Sequence, residues 1–89
     1  MSDSSATAKN TKFSLYYYDS CPFCARVVRS LNKVNVEVEL RNVMTDSAHR
    51  SALQQATKRT TVPCLRIDSG TNSKWMFESM DIMRFLQSQ

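Results

Sequence analysis

The chain has 89 residues, 42% of them apolar, with three cysteines and a net charge of +4. That is enough for one small domain with a packed core. An odd thiol count argues against a secreted disulfide framework, no apolar run is long enough to cross a bilayer, and the scattered lysines and arginines form no nucleic-acid-binding block.

Residues 1–12 are small and polar and carry no apolar stretch of the kind a secretory signal needs. The expectation is a cytoplasmic protein with a disordered tail over residues 1–11 and a single domain over 12–89. The basic excess reads as a solvated surface that also attracts small anions such as a peptide carboxylate.

Residues 13–18 predict the first strand. Phe13, Leu15 and Tyr17 face one way, Ser14, Tyr16 and Tyr18 the other. Apolar and aromatic residues on both faces suit a central strand. Asp19-Ser20 turns the chain into Cys21-Pro22-Phe23-Cys24. Pro22 fits the first helical position, where a missing N–H costs nothing. Ala25, Val27, Val28 and Leu31 continue at helical spacing, so a helix is expected over 22–33.

Val34, Val36, Val38 and Leu40 then alternate with polar residues. Period two with β-branched residues predicts an edge strand with one buried face. Thr45, Asp46 and Ser47 are all N-cap candidates for a second helix, whose narrow stripe is Ala48, Ala52, Leu53 and Ala56. His49 lies among its polar residues and reads as a surface histidine. Leu65 and Ile67 form a short strand after Pro63. Residues 68–73 hold the only glycine and form the clearest turn, with residues 75–77 as the returning strand. Ser79 is expected to cap a last helix with Asp81 in its first turn and Ile82, Phe85 and Leu86 inward. The order is βαβαββα, a four-stranded mixed α/β sheet with helices on both faces. Its first two strands are parallel.

Two thiols one helical turn apart form a dithiol that can close and reopen. Cys21 falls at the helix N-cap, where free N–H groups and the helix dipole favour a thiolate. Cys24 lies deeper. Cys21 is therefore the attacking thiol and Cys24 the resolving one. Zinc is the competing use of Cys-x-x-Cys. It normally takes four ligands, and the remaining Cys64 and His49 lack paired spacing. No metal is therefore assigned. Cys64 reads as a buried small hydrophobe, with a regulatory disulfide or a metal ligand as its other uses. Arg26 and Arg29 read as solvated arginines that add some positive potential.

Thr61-Val62-Pro63 admits two readings. One is a cis bond that exposes the Val62 main chain to an extended peptide; the other is an ordinary trans proline after the second helix. Glu78-Ser79 reads either as a plain cap or as an anion site at a helix N-terminus.

Taken together, Cys-Pro-Phe-Cys after a strand, Thr-Val-Pro about forty residues on and Glu-Ser-x-Asp-Ile at the last helix resemble the glutaredoxins, from Lys12 onward. The Tyr-Asp-x-Cys-Pro and Glu-Ser patterns resemble the branch related to glutathione transferase N-terminal domains. The resemblance implies a thioredoxin-like fold, a cis proline, and glutathione as co-substrate. It makes Cys21 the nucleophile and Cys24 the resolving cysteine. Thr61, Val62 and Pro63 match the motif whose valine main chain pairs with the glutathione cysteine, and Glu78 and Ser79 fall where the γ-glutamyl group is held.

Two departures stand out. Where many glutaredoxins have an upstream lysine, this chain has Tyr18-Asp19-Ser20, so Tyr18 is left to shape the site and Arg59 to meet the glycine carboxylate. Where many have Gly-Gly, it has Phe77-Glu78. The expected function is a monomeric, glutathione-dependent oxidoreductase acting on disulfide-containing or glutathionylated proteins. The alternative is a glutathione-coordinated iron–sulfur carrier held through Cys21.

Overall fold

The computed structural model describes residues 11–89. The proposed tail lies outside them except for Thr11, which opens the first strand. The elements run β1 (Thr11–Tyr17), α1 (Pro22–Ser30), a short 3₁₀ turn (Leu31–Lys33), β2 (Val38–Asn42), α2 (Ser47–Thr57), β3 (Cys64–Ser69), β4 (Asn72–Met76) and α3 (Ser79–Gln87). The strand order is β2-β1-β3-β4. β1 pairs with β2 in parallel and with β3 antiparallel, and β4 returns antiparallel on β3. This is the expected mixed sheet, with β1 inside and β2 at an edge. No described helix is long and apolar enough to cross a membrane.

The two faces of the sheet bury different chemistry. On one, Phe13, Leu15, Leu65 and Ile67 meet Val27 of α1 and Ile82 and Leu86 of α3. Phe13 and Phe85 pack edge to face, centroids 5.8 Å apart. Each fully buried leucine or isoleucine here contributes about 1.5–3 kcal/mol of transfer free energy. On the other face Tyr16, Val43, Leu53 of α2 and Cys64 form a smaller cluster, flanked by Tyr18, Val62, Trp75 and Phe77.

The Tyr16 ring is fully buried, and its hydroxyl accepts from Arg41 Nη1 at 2.7 Å and, more weakly, from Arg66 Nη1 at 3.5 Å. Each guanidinium is braced by a carboxylate at 2.9 Å, Glu39 for Arg41 and Asp68 for Arg66. Arg66 also lies over the Trp75 ring. One polar layer thus ties three strands together.

Local deviations from expectation have physical causes. The first helix ends at Ser30, and its last turn tightens to 3₁₀ over Leu31–Lys33. Ser30 Oγ donates to Val27 O at 2.7 Å, a bond that competes with the ladder at this point. The second strand starts not at Val34 but at Val38, where its ladder with β1 begins at Phe13. Val34, Val36 and Val38 still pack on the core. Leu40, expected inward, is 45% exposed.

Of the three cap candidates before α2, Asp46 is the one used: its side chain accepts from Ala48 N–H at 2.9 Å. α2 ends on Lys58 in the left-handed region, φ 64°. His49, expected on the surface, is partly buried, with its ring edge against Tyr16 and its Nε2 3.5 Å from Asp46. The hairpin turn is tighter than the sequence suggests. It needs only Gly70-Thr71, with Gly70 at φ +62°. Ser79 does not cap α3. The cap position belongs to Glu78, at φ 69°, with no side-chain cap bond, and the helix starts directly at Ser79.

Candidate functional site

The N-terminus of α1 is built around a sulfur. Cys21 is the N-cap residue, with extended backbone (φ −84°, ψ 116°), and its Sγ accepts from Cys24 N–H at 3.3 Å. Pro22 occupies the first helical position. The Cys24 amide and the N-terminal end of the helix dipole are thereby aimed at Cys21 Sγ. Cys21 N–H donates to Tyr18 O at 3.3 Å, which fixes the loop entering the helix. All three cysteines are free thiols.

The thiols differ in access. Cys21 keeps 5% exposure, whereas Cys24 and Cys64 have none. Burial, then the hydrogen bond with Cys21, pushes the Cys24 thiol up to about 12, against an opposing pull from the Tyr18 backbone. Burial alone pushes Cys64 up to about 12. Cys64 is thus the expected buried hydrophobe, packed with Tyr16, Val43 and Leu53. Among the described residues no group of three or more His, Cys, Asp or Glu side chains is placed to hold a metal ion.

Strand register brings the remaining motifs to the same end of the sheet. β1 leads into Cys21. Opposite its last residues, Tyr16 pairs with Cys64, which directly follows Val62-Pro63. That peptide bond is cis. Leu65 pairs with Met76, so β4 delivers Phe77, Glu78 and the α3 N-terminus to this end as well. Thr61 is exposed, Val62 half-buried and Pro63 buried. Among the described residues, no backbone hydrogen bond outside the ladders engages Val62 N–H or C=O. Glu78 is exposed and Ser79 partly buried.

Tyr18 packs on the Tyr16 cluster and contributes its carbonyl to Cys21. Arg59 sits just after α2, its N–H donating to Thr57 Oγ1 at 3.2 Å, with its guanidinium 4.9 Å above the Phe77 ring. The residue that sequence reasoning missed is Phe77. It stood out only for replacing a glycine, and nothing in its spacing from Arg59 signals that the two meet.

A mixed four-stranded sheet with a dithiol at a helix start and a cis-proline loop beside it defines a thioredoxin-fold dithiol protein. The glutaredoxin family model matches residues 11–70, and the chain belongs to the glutaredoxin family. Glutaredoxin 2 of Escherichia coli K12 is 35% identical over 72 residues, 81% of this chain and 31% of that protein. The chain therefore spans about a third of the length of the curated relatives it matches.

Among solved structures, the thioredoxin-like protein BC3987 is similar over its whole length and 84% of this chain, at 27% identity and TM-score 0.66. The Leishmania trimeric glutathione transferase TDR1 is 30% identical over 85% of this chain and 17% of its own, TM-score 0.68. Glutathione transferase Omega 2S of Trametes versicolor shares the fold, TM-score 0.72, at 15% identity over 88% of this chain and 36% of its own.

Proposed function

We propose that this chain is a glutathione-dependent thiol–disulfide oxidoreductase, acting on protein disulfides and glutathione mixed disulfides in a reducing compartment such as the cytoplasm. The observation that carries the reading is the Cys24 N–H aimed at Cys21 Sγ on a helix N-terminus. Membership of the glutaredoxin family and likeness to a glutathione transferase support glutathione as the co-substrate.

Cys21, as thiolate, attacks the glutathionyl sulfur of a mixed disulfide. The substrate thiolate leaves and takes up a proton, and Cys21 holds glutathione in a new disulfide. A second glutathione thiolate then attacks the glutathionyl sulfur. Oxidised glutathione departs and Cys21 is regenerated, so one free glutathione has been oxidised and the other half of the released disulfide is the glutathionyl group the substrate brought. In the dithiol branch, Cys24 attacks the Cys21 sulfur of a mixed disulfide, expels the bound thiol and closes the Cys21–Cys24 bond. Cys24 must first lose its proton, a step that its burial opposes.

Glutathione would lie along the Val62 main chain, its cysteine pairing with that N–H and C=O, beside Thr61 and Pro63. The α3 N-terminus at Ser79 would take the γ-glutamyl carboxylate and Glu78 its ammonium. Arg59 would meet the glycine carboxylate, and Tyr18 would wall the entrance to Cys21.

The test is turnover coupled to glutathione and its reductase. Cys21→Ser should abolish reduction of both a glutathionylated peptide and a protein disulfide. Cys24→Ser should retain the first and lose the second. Activity persisting in Cys21→Ser refutes the reading.

A further inference from the structure

Phe77 stands between two neighbours. It packs against the buried Tyr16, Val43, Leu53 and Cys64 cluster, and it also carries the Arg59 guanidinium at 4.9 Å from its centroid. The other two arginines that lie over aromatic rings, Arg41 and Arg66, are held by Glu39 and Asp68. Among the described residues, Arg59 has no carboxylate partner within salt-bridge distance; an aromatic face takes that place. The distinction matters chemically. A carboxylate consumes guanidinium N–H donors, whereas a ring beneath the plane consumes none and leaves the donor edge ready for a second anion.

The backbone of Arg59 is fastened too. Its N–H donates to Thr57 Oγ1, and Thr57 Oγ1 donates to Leu53 O at 2.8 Å, so residue 59 is tied to the end of α2. The side chain is thus held at both ends, two residues before Thr61 and over a ring that is one residue from Glu78. A guanidinium held this way loses little further rotamer freedom when a ligand carboxylate arrives.

We propose that Phe77 is a positioning residue: its ring holds Arg59 at the end of the sheet that carries Val62 and Glu78, so that the site selects thiol co-substrates that carry a carboxylate over neutral thiols. The inference rests on the thiol–disulfide reading above, and deepens it by assigning the source of charge selectivity. The ring stands where many glutaredoxins have glycine, so this selectivity depends on a side chain that a glycine would not supply.

The experiment measures glutathione binding to the Cys21→Ser protein by calorimetry, and KM for glutathione and for neutral 2-mercaptoethanol in the active protein. Phe77→Leu keeps an apolar side chain on the inner cluster and removes the ring. It should weaken glutathione binding and raise its KM by about two- to fivefold, the range expected for loss of an exposed cation–π contact. The KM for 2-mercaptoethanol should move by less. Phe77→Trp should restore the wild-type values, and Phe77→Leu should add nothing in an Arg59→Gln background.

Equal effects on both thiols, failure of Trp to rescue, or additivity with Arg59→Gln would overturn the proposal. The calorimetric arm keeps it separable from its parent. A wild-type protein that binds glutathione with Phe77-dependent affinity yet turns over neither thiol sinks the oxidoreductase reading and leaves the positioning role standing.

Discussion

The backbone amide of Cys24 caps the sulfur of Cys21 at 3.3 Å, so the two cysteines of the motif are joined by a hydrogen bond before they are ever joined by a disulfide. The same helical turn gives them opposite characters. The amide is directed at one sulfur, while the other is withdrawn from solvent and pushed up to about 12.

That division predicts the alkylation pattern. At neutral pH, iodoacetamide should add one label to the folded protein, on Cys21, as read by peptide mass. Cys24 and Cys64 are covered and remain protonated, so they should react only after denaturation. A second label appearing at a comparable rate in the native protein would contradict the structure.

Stability should fall on the alkaline side. Both buried thiols are raised from 9.0 to about 12, so between those values the unfolded chain releases protons that the native chain keeps. Fewer protons on the unfolded state means that unfolding becomes easier as pH rises. The stabilisation is complete below about pH 9. Above it each thiol lowers the stability progressively until its folded value is reached. Urea melts of the reduced protein at pH 7, 9 and 10 would check this. Replacing Cys64 by Ala should flatten the alkaline loss.

Tyr16→Phe removes the acceptor shared by Arg41 and Arg66 without changing the shape of the core. The two guanidiniums are partly exposed, with side-chain accessibilities of 18% and 29%, and can rehydrate. The cost should therefore be about 1.5–2 kcal/mol, the low end of the range for a hydrogen bond to a charged group. Thermal unfolding should show a drop of several degrees in Tm for a domain of this size. No drop would mean that the polar layer contributes nothing net.

Lys58→Gly should stabilise. Lys58 ends α2 at φ 64°, a region that costs a side-chain-bearing residue about 1–2 kcal/mol relative to glycine. Part of that gain returns as backbone entropy in the unfolded chain, leaving a net gain of about 0.5–1 kcal/mol. Denaturant melts would show it as a higher midpoint at constant slope.

The features legible in the sequence were those set by neighbours in the chain. Period-two and helical spacings place β1, α1, β3 and α3. Pro22 after Cys21 marks the helix start, and Asp46 is one of only three adjacent cap candidates. Features set by distant partners were not legible. Where β2 begins is set by its ladder with β1. Glu78 takes the cap position because the chain leaving β4 reverses there through a positive φ, which no propensity signals in a glutamate. The dithiol and the Thr-Val-Pro loop are local motifs, and the fold brings them to one end of the sheet as expected. The meeting of Arg59 with Phe77 depends on β4 and on the end of α2, so only the assembled domain reveals it.

The sheet order β2-β1-β3-β4 has a practical corollary. The dithiol arises from the segment ending with α2, and the cis-proline loop, Phe77 and the α3 N-terminus from the segment after it. The seam between these halves is the β1–β3 ladder. A chain severed between residues 58 and 59 would leave each fragment catalytically mute, and restored turnover would report their reunion.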